Sequence, residues 1–266
     1  MDESPGPRSI AGINSLPEAE RDAYYLSFIP DGLLERFGID PRTYGDSRGN
    51  RLLKIVAPTG SGSVEVDIRP SAGFPDPLLY VHVADTPNNQ IEVLLIVVND
   101  PTSPRFDTDR MPDGTPTDLG TTGRNIAEEV RAMEFGLAPG QVRRGLRLAS
   151  LLVPCFEAFV ASLGHDLVIA QPLAYHNAIR FERLGFGYIS GRRLMERIQA
   201  GFQPGGDLHA QMDDSTPFRR RGAEASVRGR SWAIHDGILG ERYEGVRMFK
   251  RVGRGAGVST FGGMVW

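Results

Sequence analysis

The chain has 266 residues, 40 % of them apolar, and 30 basic against 33 acidic side chains give it a formal charge of −3. This size is enough for one large hydrophobic core, or for one core with a small accessory unit. The nearly balanced charge argues against a general binder of nucleic acid or anionic membranes. The longest apolar run, residues 93–98, is too short to span a bilayer, so neither a membrane nor a nucleic acid is expected as a partner.

A single cysteine, Cys155, cannot form an internal disulfide and lies in an apolar run. This favours a structural thiol in a reducing compartment. The first residues also lack a basic start followed by an apolar stretch, which a secretory signal would show. The expected location is therefore cytoplasmic.

The first 50 residues are predicted to form an N-terminal tail and a helical segment. Residues 1–16 are rich in Pro, Gly and Ser and are expected to be a loose tail. Pro17, followed by acidic residues, predicts a helix start, with helical structure continuing to about Phe37. Strands are then predicted at 52–57, 64–68, 78–83 and 91–98 from their apolar and alternating patterns. The continuous apolar run 93–98 predicts a central strand covered on both faces.

Residues 99–123 predict a long loop and residues 125–134 a helix, so the segment 99–138 is interpreted as an insertion. The strongest helix signal follows, with apolar residues at steps of three and four, namely Val142, Leu146, Ala149, Val153, Phe156, Val160 and Leu163. Pro154 predicts a kink within this helix and Gly164 its end.

The remaining elements complete an α/β pattern. Strands are expected at 166–170 and 186–189, helices at 174–184 and 194–200, and a closing strand pair at 232–235 and 245–250, with 201–229 irregular. The pattern predicts that residues 51–266 form a mixed central β-sheet flanked by helices.

The segment 139–152 has the features of an anion site. A helix start leaves backbone N–H groups unpaired and carries positive dipole character. Gly145 allows a bulky group to approach the backbone, and Arg143, Arg144 and Arg147 add positive charge. Many structural helices also begin after Pro-Gly and carry surface arginines, so an ordinary helix start is an equal interpretation of this segment alone.

A second segment, His176-Asn-Ala-Ile-Arg-Phe-Glu-Arg-Leu-Gly-Phe186, follows the strand predicted after that helix. Together the two segments resemble the acetyl-CoA-binding core of the GNAT (N-acetyltransferase) superfamily, of which this chain would be a divergent member. The resemblance covers residues 139–190 and implies a GNAT-like acyl-CoA acyltransferase fold. It also implies a set of residues that bind acetyl-CoA as co-substrate: Val142, Arg143, Arg144, Gly145, Leu146, Arg147, Asn177 and Phe181.

The chain departs from the family pattern at three positions. Val142 stands where the family has Gln or Arg, and Arg147 stands where it has a second small residue. Phe181 occupies the place of a tyrosine that, in many members, protonates the departing CoA thiolate. A phenyl ring has no proton to give, so a non-catalytic module with the same fold is the alternative hypothesis.

Two residues are the catalytic candidates. Glu92 interrupts an apolar strand, and the resemblance implies a glutamate near this place that deprotonates an amine; a solvent contact at the strand end is an equal rival. His235, before Asp236 and Gly237, is expected at the turn of the closing strand pair, where a structural role ranks slightly ahead of a functional one. The histidines have no metal-ligand spacing, so no metal is expected.

Three hypotheses follow. The first is an acyl-CoA-dependent N-acyltransferase that acts on a small-molecule amine or on an amino group of a peptide. The second is a non-catalytic GNAT-like module that binds a ligand or a partner through the same cleft. The third is an α/β structural or interaction protein unrelated to CoA. Each is compatible with a homodimer.

Overall fold

The computed structural model describes residues 6–117, 123–263 and 265–266. Parts of the predicted tail (1–5) and of the predicted loop (118–122) therefore lie outside the described residues. The chain folds into two compact units. Unit 1 contains the chain up to Thr102 together with Gly145–Ala170 and Phe249–Gly255, and unit 2 contains Ser103–Arg144, Gln171–Met248 and Ala256–Trp266.

Among the described residues, seven strands form one mixed sheet in the order β1-β2-β3-β4-β5-β7-β6. The strands are β1 Leu53–Val56, β2 Ser63–Ile68, β3 Leu79–Asp85, β4 Ile91–Val98, β5 Leu167–Ala170, β6 Gly187–Ser190 and β7 Arg247–Arg251. The helices of the described residues are α1 Ile10–Asn14, α2 Glu18–Leu26, α3 Asp31–Arg36, α4 Ile126–Glu134, α5 Ala149–Ser162, α6 Tyr175–Arg183, α7 Arg192–Gly201, α8 Asp207–Ala210 and α9 Val227–His235. The prediction of an α/β protein with a mixed sheet flanked by helices is confirmed.

The first four strands form an antiparallel array within unit 1, and each lies within two residues of its predicted bounds. β2 shows why the alternation was informative. Val64, Val66 and Ile68 are buried, whereas Glu65 and Asp67 are half-buried on the other face. None of the described helices is long and apolar enough to cross a membrane.

The expectation of a loose tail over residues 1–16 is wrong for the part that the structure describes. Ser9 caps α1 by accepting a hydrogen bond from the Gly12 N–H at 3.0 Å. The Asp85 carboxylate at the end of β3 accepts hydrogen bonds from the N–H groups of Ile10 and Ala11, at 2.7 and 2.9 Å. A helix of five residues is too short for a periodic signal, and here it depends on a carboxylate that is 75 residues away in the sequence.

The long helix predicted from Val142 begins seven residues later, at Ala149. Arg147 adopts a left-handed backbone conformation with φ +58°, which an α-helix cannot contain. The apolar spacing over 142–148 therefore arises in a loop and mimics a helical stripe. Pro154 lies inside α5 as predicted, and Gly164 follows the helix with φ +77°.

The predicted strand 232–235 is also wrong, because these residues form the end of α9. Ser226 caps this helix by accepting a hydrogen bond from the Gly229 N–H at 2.9 Å. Trp232, Ala233 and Ile234 are all buried. Because no exposed polar residue alternates with them, the sequence pattern cannot distinguish a helix from a strand here. The second half of the predicted pair is confirmed as β7.

The predicted insertion 99–138 contributes to the hydrophobic core of unit 2. Phe106, Ala132 and Leu137 pack in one buried cluster with Phe218 and Trp232. The Trp232 ring stacks on Phe218 at 5.2 Å between centroids. Its indole N–H also donates to the Leu137 carbonyl at 2.8 Å. From Ser103 onward this segment is therefore an integral part of unit 2.

Phe159 is the aromatic anchor of α5 in the core of unit 1. It is 1 % exposed, and its ring contacts Phe28 at 5.3 Å and Tyr25 at 6.3 Å between centroids. Phe156, which the predicted stripe contains, is only half-buried.

We expect Phe159→Ala to reduce the free energy of unfolding by roughly 3–5 kcal/mol, because it leaves a cavity that the neighbouring rings cannot fill. Phe156→Ala, the matched variant one turn earlier, should cost less because part of that ring already faces solvent. Urea unfolding of both variants measures the difference. An equal or larger loss for Phe156→Ala would mean that the buried face of α5 is wrongly assigned.

Candidate functional site

β4 has two neighbours in the sheet but pairs with one of them over only part of its length. It is antiparallel to β3 from Ile91 to Val98. It is parallel to β5 only through the pairs Ile91–Val168, Glu92–Ile169 and Val93–Ala170. β5 ends at Ala170, so in the described part of the chain no β5 residue pairs with β4 beyond Val93. This edge of β4, residues 94–98 without a pairing partner on β5, is called the gap of unit 1 below.

A β-bulge occurs where the pairing with β5 stops. On β3, His82 and Val83 are consecutive, but their partners on β4 are Leu95 and Val93, so Leu94 is the extra residue. A bulge leaves its extra residue outside the ladder and bends the strand. Leu94, Leu95 and Ile96 are 39, 40 and 41 % exposed, so the expectation that this run is covered on both faces is wrong.

The loop before α5 approaches this part of β4. A Cβ atom placed on Gly145 would lie 3.2 Å from the Val98 carbonyl oxygen, closer than ordinary van der Waals contact. Any larger residue would push the loop away from the strand. Leu146, the next residue, is 8 % exposed and anchors the loop.

The start of α5 is suited to an anion. Leu148 at the N-cap position has no polar side chain to cap the helix, and no acidic residue lies in the first turn. The Leu151 N–H donates to the Leu148 carbonyl at 2.9 Å. The N–H groups of Ala149 and Ser150, in contrast, have no partners within the helix, and the helix dipole adds positive character there. Arg147 is exposed two residues before the helix.

The other residues of the predicted phosphate loop have structural partners in unit 2. Arg143 is 9 % exposed, and its guanidinium donates to the Ser103 carbonyl. Arg144 lies over the Phe135 ring at 4.1 Å and donates to the Phe135 carbonyl at 3.0 Å. The Val142 carbonyl accepts a hydrogen bond from the Phe106 N–H at 2.9 Å.

Asn177 and Phe181 lie on α6 in unit 2, whereas Gly145, Leu146 and Arg147 belong to unit 1. Asn177 is half-buried in the first turn of α6. Phe181 stacks on Phe186 at 4.8 Å between centroids.

The two catalytic candidates belong to different units. Glu92 lies on β4 in unit 1, where it pairs with Ala84 on one side and Ile169 on the other, and it is half-buried. His235 is the last residue of α9 in unit 2 rather than part of a strand, and only 7 % of its side chain is exposed.

His235 is part of a buried charge network in unit 2. Its Nε2 atom lies 2.9 Å from Glu129 Oε1, and Arg124 Nε donates to Glu129 Oε2 at 3.0 Å. Burial alone would raise the pKa of Glu129, but hydrogen bonds from His235 and Arg124 outweigh it and hold this pKa below its ordinary value. Arg124 also contacts Asp236, at 3.3 Å, and Arg219 Nε donates to the same carboxylate at 3.1 Å.

His235 also lines a cavity of about 410 Å³ in unit 2. Other polar residues of its wall are Tyr175, Ser231 and Tyr243. The wall combines three separate stretches of the chain, at residues 139, 173–175 and 231–243, so no spacing pattern could have revealed it. The predicted turn at His235-Asp236-Gly237 was the one sequence signal that included residues of the wall.

His176 contacts Ser231, a residue of the cavity wall. Its Nδ1 atom lies 2.8 Å from the Ser231 hydroxyl, and the ring is 5 % exposed. Burial, with the nearby charges of Arg180, Arg228 and His235, lowers the pKa of His176 to about 3. The ring is therefore neutral at physiological pH.

Within the described residues, no group of three or more His, Cys, Asp or Glu side chains is arranged to hold a metal ion. Comparisons with protein-family models, with curated proteins and with solved structures gave no match for this chain. What the chain does must therefore be argued from its own geometry.

His176 should make the fold sensitive to mild acid. The unfolded chain binds a proton below about pH 6.5, whereas the folded ring stays neutral down to about pH 3, so stability is lost as the pH falls between these values. Linkage gives a loss of about 2 kcal/mol between pH 7 and pH 5. We expect His176→Asn to remove this part of the pH dependence, measured by urea unfolding at the two pH values. An unchanged loss in the variant would contradict the assignment.

Proposed function

We propose that the chain binds an acyl-CoA in the gap of unit 1 and is a divergent GNAT-like N-acyltransferase of an amine. The observation that carries the proposal is that β4 loses its parallel partner after Val93, where the loop at Gly145 reaches the end of the same strand. The pantetheine arm would lie in the gap and the pyrophosphate on the start of α5.

The gap offers what an extended amide-bearing chain requires. A strand edge carries unpaired N–H and C=O groups that favour pairing with another extended chain. The pantetheine arm of CoA contains amide groups separated by short apolar links, so it can pair with such an edge. The exposed Leu94, Leu95 and Ile96 would supply the apolar contact and would be covered by the ligand.

The start of α5 offers what a pyrophosphate requires. Backbone N–H groups and the helix dipole attract the anion, and Gly145 keeps the loop close to β4. Arg147 would provide a charge-assisted hydrogen bond. The arginine in place of a small residue is thus compatible with phosphate binding, because its side chain is exposed. Arg143 and Arg144 would act by holding the loop rather than by touching the phosphate.

The reaction would be a direct transfer. The amine nitrogen attacks the thioester carbonyl carbon, the C–N bond forms, the C–S bond breaks, and the CoA thiolate takes up a proton. Glu92 and His235 stay the proposed candidates for accepting the proton that the amine loses. The proposal keeps the expected cytoplasmic location.

The second candidate function is a non-catalytic module that binds CoA or a related ligand. It is favoured by Phe181, whose ring stacks on Phe186 and has no hydroxyl for the thiolate. Release of free CoA in the presence of a panel of amines separates the two functions. Turnover supports the transferase, and saturable CoA binding without turnover supports the module.

We expect acetyl-CoA to raise the melting temperature of the full chain. At 100 times the Kd, a ligand that binds only the native state adds about 2.7 kcal/mol of stability. Gly145→Glu should abolish the shift, because it places a carboxylate where the phosphate would bind and a Cβ atom 3.2 Å from the Val98 oxygen. Arg147→Gln, whose side chain is exposed, should weaken binding roughly tenfold by removing a charge-assisted hydrogen bond.

Gly32→Glu is the matched control. Gly32 lies in α3, a Cβ atom there would meet nothing within 4 Å, and the variant adds the same charge to unit 1. It should retain the full shift. The absence of a shift for the wild type at millimolar acetyl-CoA, or an undiminished shift in both Gly145→Glu and Arg147→Gln, would remove the basis of the proposal.

A further inference from the structure

The cavity of unit 2 has a buried wall and an exposed rim. Tyr175 and Ser231 are 1 and 2 % exposed and form part of the wall, whereas Glu241 and Arg242 are exposed. Pro139, Leu173 and Ile234 add apolar surface to the lining. Its volume of about 410 Å³ lies within the range of roughly 300–1,000 Å³ that is usual for small-molecule sites.

The Tyr175 hydroxyl is buried and has no hydrogen-bond partner in the described part of the chain. Leaving such a group unsatisfied costs about 1–3 kcal/mol, so it commonly marks a place for a ligand or a water molecule. Burial raises the pKa of Tyr175 to about 12, so its hydroxyl keeps its proton and can donate it to an acceptor.

A buried positive charge acts on the same hydroxyl. Arg230 is 5 % exposed, and its charge and its hydrogen-bonding guanidinium both oppose the rise in the pKa of Tyr175. Its hydrogen bonds go to the Glu224 carbonyl and to Gln199 Oε1, both at 2.6 Å, and within the described residues none goes to a carboxylate. The negative charge of Glu182 acts on the pKa of Tyr175 in the opposite direction. The Glu182 carboxylate already accepts hydrogen bonds from the Thr260 N–H at 2.9 Å, from the Thr260 hydroxyl and from the Tyr188 hydroxyl. The surroundings of Tyr175 therefore favour an anionic acceptor.

The rim carries one charge of each sign. Glu241 and Arg242 are adjacent, and no ion pair of either side chain is found among the described residues. The segment before them turns at Gly237 and Gly240, with φ +81° and +73°. The negative charge of Glu241 and the positive charge of Arg242 match a ligand that carries one positive and one negative group.

We propose that this cavity binds a small amino-carboxylate with an apolar side chain, a zwitterion of the size of a free amino acid. Its carboxylate accepts a hydrogen bond from Tyr175, its side chain lies against Leu173 and Ile234, and its amino group is paired by Glu241. The proposal concerns unit 2 alone and does not depend on the proposed function.

Isothermal titration calorimetry of the full chain without CoA tests the proposal. The probes are leucine, methionine and phenylalanine, with phenethylamine and 3-phenylpropionate as analogues that lack one charged group. We expect at least one amino acid to bind and, where phenylalanine binds, both analogues to bind at least about tenfold more weakly, because a site built for a polar group rejects a ligand that lacks it. Tyr175→Phe should weaken amino-acid binding about tenfold and leave phenethylamine binding unchanged.

Two matched controls separate the cavity from general effects. Tyr80→Phe removes the hydroxyl of a half-buried tyrosine on β3 of unit 1, outside the cavity lining, and it should not change amino-acid binding. Glu241→Gln should weaken binding, whereas Glu244→Gln, an exposed carboxylate outside the lining, should not. No binding by any of the amino acids, or equal affinities for the wild type and Tyr175→Phe, would overturn the proposal.

A second titration, with acetyl-CoA, distinguishes this inference from the proposed function. Amino-acid binding that depends on Tyr175, in a chain that fails to bind acetyl-CoA, would retain the ligand class and contradict the transferase. Acetyl-CoA binding in a chain that binds none of the amino acids would support the proposed function and contradict the ligand class of the cavity.

Discussion

β3 holds β4 along its whole length, whereas β5 holds it only as far as Val93. The backbone groups beyond this point have to be satisfied in some other way, because unpaired strand edges are unfavourable unless water or a ligand reaches them. The bulge at Leu94 bends the strand at the place where the pairing stops. The exposure of Leu94–Ile96, the close approach of Gly145 to Val98 and the uncapped start of α5 all lie around the gap that results.

Unit 2 differs from unit 1 in that it contains a network of buried, hydrogen-bonded charged side chains. Glu129 connects His235 and Arg124, and Asp236 connects Arg124 and Arg219. Such networks are stabilising only when every member is paired. In this network the hydrogen bonds lower the pKa of Glu129 by more than its burial raises it. In the same unit, the Tyr175 hydroxyl meets no geometric hydrogen-bond partner among the described residues and lies near the buried Arg230, so a ligand could satisfy it.

The sequence predicted the elements whose signals are local. Alternation identified β2, apolar runs identified β3 and β4, and the acidic residues after Pro17 identified the start of α2. The errors came from tertiary effects. α1 depends on Asp85, the apolar spacing before Ala149 belongs to a loop with Arg147 in a left-handed conformation, and the all-round burial of Trp232–Ile234 hid a helix. At the candidate sites, Gly145 could be singled out from its neighbours along the chain. The end of the β4–β5 pairing and the cavity around Tyr175 could not, because strand register and long-range contacts create them.

The most direct test of the account is amide hydrogen exchange of the full chain with and without saturating CoA. If the gap beside β4 is the binding site, exchange should slow in residues 94–98 and 145–150, because the ligand pairs with those N–H groups or covers them. Residues 64–68 of β2, which are paired on both sides, should be unaffected in the same sample. Saturating CoA that leaves exchange in both segments unchanged would contradict the account, and slowed exchange confined to other segments would place the ligand elsewhere.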